Sequence, residues 1–146
     1  MPKYFTLLEA ETLLPELENL LRSCVQGKQD YDGAEEELRS VATRITLNGG
    51  MVIVREQVAE VRVRKDSAAR TIKSSVEKIE QIGCHIKDLN LGLLDFPTLY
   101  RDQEVYLCWK LGESGIGFWH HVDDGFSGRQ PVNAEFLANH RGSPVS

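Results

Sequence analysis

The segment GFWHHVDDGFSGRQP, residues 117–131, sets two adjacent histidines, two adjacent aspartates, a tryptophan and an arginine between glycines. Histidine beside a carboxylate is the usual proton-transfer pair near neutral pH, so His120 with Asp88, Asp95 or Glu113 forms a candidate acid–base set. Arg129, at the end of a glycine-bounded loop, is suited to hold a small anion through two parallel hydrogen bonds. The candidate ligand-binding residues are therefore Asp88, Asp95, Trp119, His120 and Arg129. Each has a plainer role: the aspartates as turn caps, and the loop as a clasp with Phe126 pinned in the core and Gly125 and Gly128 at positive φ. Metal donors are also present, in His85, Asp88, His120, His121, Asp123, Asp124, Cys84 and Cys108. Several stand in adjacent pairs, which diverge on a strand, so no metal and no cofactor is expected. The chain has no G-x-S-x-G, H-E-x-x-H, P-loop or dinucleotide fingerprint in a supporting context.

Strand alternation places Phe118 and His120 on one face and Trp119 and His121 on the other. If His120 is the inward histidine, it needs an acceptor; Asp88 or Asp95 is the natural one, with Arg129 expected on the other carboxylate oxygen.

These residues need elements to position them. Thr6 and Glu9 form a capping box, so a helix starts near Leu7. Pro15 is expected to end or kink that short helix and to open a second one. Leu17, Leu21, Cys24, Lys28, Tyr31, Glu35, Leu38, Ala42 and Ile45 then follow steps of four and three, the seam of a coiled-coil-like helix, weakened by Gly27 and Gly33. LNGG, residues 47–50, breaks it. Beyond, Val54, Val58, Val61, Lys65, Ala68, Ile72, Val76 and Ile79 repeat the spacing up to Gly83, a C-cap. The two arms, Pro15–Leu47 and Met51–Gly83, read as a long antiparallel hairpin. Charge agrees: nine acidic residues stand against two basic between Glu9 and Glu37, and seven basic against four acidic between Arg55 and Lys78.

After Gly83 the period falls to two. CHIKDLNLGLLDFP, EVYLCWK and IGFWHHV read as a three-stranded antiparallel meander, with TLYRDQ and LGESG as its turns. In the second strand Val105, Leu107 and Trp109 share one face. From Val132 the chain turns polar and is expected to fray at its end. The expected fold is α+β in one domain, 1–146: a short N-terminal helix and helical hairpin in 1–83, a small three-stranded antiparallel sheet in 84–131, and a tail in 132–146.

The totals exclude some roles. A net charge of −5 disfavours nucleic acid and anionic membranes. No segment approaches the roughly 20 apolar residues that span a bilayer, and no leader is evident. Three cysteines without C-x-x-C spacing suggest reduced thiols and a cytoplasmic protein.

In order along the chain, KYFTLLEA with LLPEL, IKDLNLGLLDFP, VYLCWKLGE, GFWHH and GFSGRQP resemble the bacterial family catalogued as domain of unknown function 2203, from Lys3 to about Val132. The matching motifs are Lys87–Leu89, Asp95–Pro97, Cys108–Trp109, Trp119–His120 and Gly125–Arg129. The resemblance assigns no catalytic residue or ligand. The expected function is a non-enzymatic interaction or assembly protein, a homodimer through its hairpin. The alternative is a small-molecule- or metal-dependent enzyme with a site on the meander.

Overall fold

The computed structural model describes residues 3–48 and 52–144. Two helices, α1 (Leu7–Asn48) and α2 (Val52–Ile82), precede six strands: β1 (His85–Asp88), β2 (Leu93–Tyr100), β3 (Gln103–Lys110), β4 (Phe118–His121), β5 (Gln130–Pro131) and β6 (His140–Arg141), with a short helix α3 (Ala134–Asn139) before the last. The fold is α+β, with six strands where three are expected. The chain forms two compact units, Met1–Arg22 with Val76–Ser146, and Ser23–Ser75.

The capping box forms as read: Glu9 N donates to Thr6 Oγ1 at 3.1 Å and Thr6 N to Glu9 Oε1 at 3.2 Å. Pro15, however, ends nothing. There is no separate short N-terminal helix; α1 runs through the proline. Pro15 is exposed, so water can take the carbonyl that its missing N–H leaves free, while Ala10, Leu14, Leu17 and Leu21 bury one continuous face on either side of it. Tertiary burial of that face outweighs the local break.

In Ser23–Ser75 the helices run antiparallel: Cys24 meets Ile72, Tyr31 meets Lys65 and Glu37 meets Arg64. The α2 seam is where the spacing puts it, with Val61 and Ala68 buried and Val58, Lys65 and Ile72 half-buried. The α1 seam holds at Leu17, Leu21 and Cys24, all buried, and is displaced by one residue at three later positions. Gly27, Ala34 and Val41 are buried, in place of Lys28, Glu35 and Ala42. Gly27 is a contact rather than a weakness, since a Cβ there would stand 2.9 Å from Ile72 Cγ1. The expected charge pairing forms across the helices, Glu37 to Arg64 at 2.8 Å and Glu35 to Lys65 at 3.2 Å. Of the expected LNGG break, Leu47 and Asn48 are the last residues of α1, and Gly49 and Gly50 lie outside the described residues.

In the other unit Gly83 closes α2 at φ 110°. The strand order is β1-β2-β3-β4-β5, with β6 also on β2. The stretch read as one strand, CHIKDLNLGLLDFP, is two, turned by Leu89–Gly92; Asp88 Oδ1 accepts from Leu91 N at 3.0 Å and Gly92 sits at φ 69°. TLYRDQ is mostly strand. Only Arg101 and Asp102 turn, both at positive φ (51° and 64°), the form that matches strand twist. The turn falls inside TLYRDQ, as expected, although neither residue is glycine or asparagine; Arg101 N donates to the Asn139 carbonyl at 3.0 Å, and Arg101 and Asp102 make exposed ion pairs with Glu135 and Arg141. Those partners lie in the segment past Val132, which carries α3 and β6, and β6 pairs Leu99 with Arg141.

Pro97 sits in the middle of β2 without breaking it. β1 pairs only as far as Asp95 and β6 begins at Leu99, and in that gap Pro97 O accepts from Phe5 N at 2.7 Å. The missing N–H faces the same gap, where no ladder bond is lost. One face of the sheet carries Leu94, Phe96, Val105, Leu107, Trp109 and Trp119, all buried. Phe5 meets Phe96 edge-on at 5.6 Å, and Phe136 of α3 stacks on Trp119 at 5.1 Å.

Candidate functional site

The opposite face of the sheet carries the chemistry. Register places Asp95 beside Cys108, Cys108 beside Phe118, and Tyr106 beside His120. Side chains paired in register share a face, so three strands present Asp95, Cys108, Tyr106, Phe118 and His120 together.

His120 is the inward histidine, 1% exposed, and His121 is exposed. His120 Nε2 lies 2.9 Å from Asp95 Oδ1, reaching across β3, and Nδ1 lies 2.7 Å from the carbonyl of His121. A carbonyl only accepts, so Nδ1 carries a hydrogen. Nε2 faces the carboxylate of Asp95, which is itself 2% exposed, so each is the other's close polar neighbour in a buried place. Tyr106 lies 5.6 Å from the His120 ring, and burial, helped by Glu104 and Asp95, holds its phenol above the ordinary range.

Cys108 completes the group. One ligand atom each from Asp95, Cys108 and His120 lies within 4.8 Å of the others, and no other His, Cys, Asp or Glu triplet among the described residues comes so close. Burial first, then the Asp95 charge, push the Cys108 thiol up to about 11, against the pull of Arg129. At neutral pH it is a thiol, not a nucleophilic thiolate.

Arg129 is not on Asp95. It grips Glu113 with both terminal nitrogens, at 2.7 Å and 3.1 Å, and donates to the Cys108 carbonyl at 3.3 Å. Its guanidinium is sandwiched by Phe118 at 4.2 Å and Phe126 at 4.7 Å. Glu113 is fixed in turn by Lys110 N at 2.7 Å. Partial burial pushes the Glu113 carboxyl up, but Arg129 and the Lys110 N–H outweigh it and hold it below the ordinary value. The Arg129 Nε is buried without a partner among the described residues. The loop is a clasp, differently built from the expected one. Phe126 is 41% exposed and lies beneath the guanidinium rather than in the core. Gly125 has φ −101°, and Gly128 is needed for space, because a Cβ there would stand 2.7 Å from Asp124 Cβ.

Of the five candidate residues, then, the structure joins Asp95 and His120. Arg129 comes to the same face beside Cys108, Asp88 caps the β1–β2 turn, and Trp119 points to the packed face against Phe136 and Tyr100. Cys108 and Glu113 complete the arrangement. Cys108 alternates with Trp109 in a plain strand pattern, and its neighbours across the ladder are not local in sequence. Glu113 is a candidate partner for His120 in the sequence, and the structure sets it against Arg129 instead.

The family model described as Uncharacterized conserved protein (DUF2203) matches residues 3–132. No curated protein and no solved structure matches the chain.

Proposed function

We propose that the chain, which belongs to the DUF2203 family, is a non-enzymatic interaction and assembly protein of the bacterial cytoplasm. Its antiparallel helices associate with those of a second copy, giving a coiled-coil-like four-helix bundle. One observation carries this reading. In Ser23–Ser75 the shielded residues are mostly small, Cys24, Gly27, Ala34, Ala68 and Ser75, while the larger Tyr31, Leu38, Val58 and Ile72 stay half-buried along the seam. A second pair of helices would remove that remaining apolar surface from water, at about 25 cal/mol per Å2. Three free cysteines suit a reducing compartment, and no described helix is long and apolar enough to cross a membrane. Sedimentation equilibrium at micromolar concentration is expected to give twice the chain mass; a clean monomer ends this reading.

A second reading, a small-molecule- or metal-dependent enzyme on the sheet face, is favoured by the buried Asp95–His120 pair beside Cys108. Its ligand would raise the thermal midpoint of the metal-free protein in a screen of small anions and carboxylic acids. That shift is lost in Arg129→Lys and kept in His121→Ala; a screen without any shift removes it.

A further inference from the structure

We propose that Asp95, Cys108 and His120 form a binding site for one divalent first-row metal ion of the zinc class, with a carboxylate oxygen, the thiolate sulfur and Nε2 as its three protein ligands. This deepens the sheet-face reading and rests on it.

Geometry comes first. The three ligand atoms come from β2, β3 and β4 and lie within 4.8 Å of one another, so one ion between them is in reach of all three. The sequence objection, that adjacent donors diverge, holds for His120 and His121 but not here, because register rather than adjacency brings these three to one face. His120 is also prepared as a ligand. Its Nδ1–H is spent on the His121 carbonyl at 2.7 Å, which fixes the tautomer and aims the Nε2 lone pair at the cluster. Metal-bound histidines characteristically make that outer bond.

The donor set selects the ion. Calcium and magnesium prefer oxygen-rich shells, whereas a thiolate, an imidazole and one carboxylate suit zinc and its first-row neighbours. Three protein ligands rather than four is the count of a site that keeps a position for water or a substrate.

The surroundings agree with the geometry. All three ligand residues are at most 2% exposed, and a bound dication would meet one carboxylate and one thiolate, whose charges offset its own in an interior where an uncompensated charge is costly. The alternative, a purely structural His–Asp pair, gives the neighbouring thiol no part.

The test uses cobalt(II) as the probe and the full chain, refolded from denaturant with and without the ion because the site is buried. One cobalt per chain is expected, with a thiolate-to-cobalt charge-transfer band in the near ultraviolet. The band should vanish in Cys108→Ser. Should that variant not fold, the Cys24→Ser/Cys84→Ser double variant leaves Cys108 as the only thiol and must keep the band. Absence of the band in the parent chain, its loss in the double variant, or its persistence in Cys108→Ser overturns the proposal. The sheet-face reading fails separately, on the metal-free ligand screen.

Discussion

Two polar side-chain pairs, one in each compact unit, have nearly the same separation and opposite physical meaning. Glu37 and Arg64 stand 2.8 Å apart with side chains 35% and 51% exposed; Asp95 and His120 stand 2.9 Å apart with side chains 3% and 1% exposed. Water surrounds the first pair and takes over either partner's hydration when the other is removed, so such pairs contribute little. The second has no such reserve, and removing one member strands the other in a medium where polar groups must be matched. Separation says that two groups interact. Solvent decides whether the molecule depends on it. The packing differs in the same sense: the helices of Ser23–Ser75 approach over small residues such as Gly27 and Ala34, while the sheet is closed by Trp109, Phe96 and Phe136.

The largest expected effect breaks the buried pair. His120→Ala leaves Asp95 buried without its partner and should cost about 3 kcal/mol, whereas His121→Ala, on the exposed side of the same strand, should stay within about 0.5 kcal/mol of the parent. Equal chemical denaturation midpoints for the two variants would contradict the inward assignment of His120.

Next comes the clasp, intermediate in exposure. Arg129→Lys replaces a two-pronged grip on Glu113 with a single point charge and loses the stacking on Phe118 and Phe126, an expected cost of about 1–2 kcal/mol. The Glu113 carboxyl is held below its unfolded value, so its contribution is present in full above the unfolded value of about 4.3 and is lost as the pH falls through the folded one. Denaturation midpoints of parent and variant should therefore differ most near neutral pH and converge as the pH falls through and below the unfolded value; a gap that widens in acid would contradict this sign.

A smaller contrast sharpens the account of the helices. A Cβ at Gly33 meets nothing within 4 Å, so Gly33→Ala should stabilise the protein by up to about 1 kcal/mol through helix propensity alone. At Gly27 the same change presses on Ile72 Cγ1 and should give less or reverse the sign. Identical thermal shifts from the two alanines would show that Gly27 is not a contact residue.

The smallest effect is expected at the surface pair. Glu37→Gln should move the thermal midpoint within measurement scatter, and any residual shift should disappear in 1 M salt. The His120→Ala deficit should persist in that salt. A salt-sensitive His120 deficit would mean that the sheet-face pair is wetter than its burial implies.

What the sequence determined by itself was everything set within a few residues. The change of period at Gly83 divided helices from strands, Thr6 and Glu9 fixed the start of α1, and the α2 seam followed from regular spacing over eight turns. Strand alternation alone separated His120 from His121 and Val105, Leu107 and Trp109 from Cys108. The tertiary structure decided whatever depended on a distant partner. Pro15 stays inside α1 because the apolar face on both sides of it is buried. The α1 seam runs through Gly27 and Ala34, a step of three or four residues being equally helical until another helix lies against it. Arg101 and Asp102 turn within the stretch the sequence marked, but only the fold sets them against Asn139, Glu135 and Arg141. Asp95 rather than Asp88 faces His120, Arg129 takes Glu113 rather than Asp95, and Cys108 joins the cluster, because each outcome follows from the register of β2, β3 and β4. Register is a sum over whole strands, and no short stretch of sequence contains it.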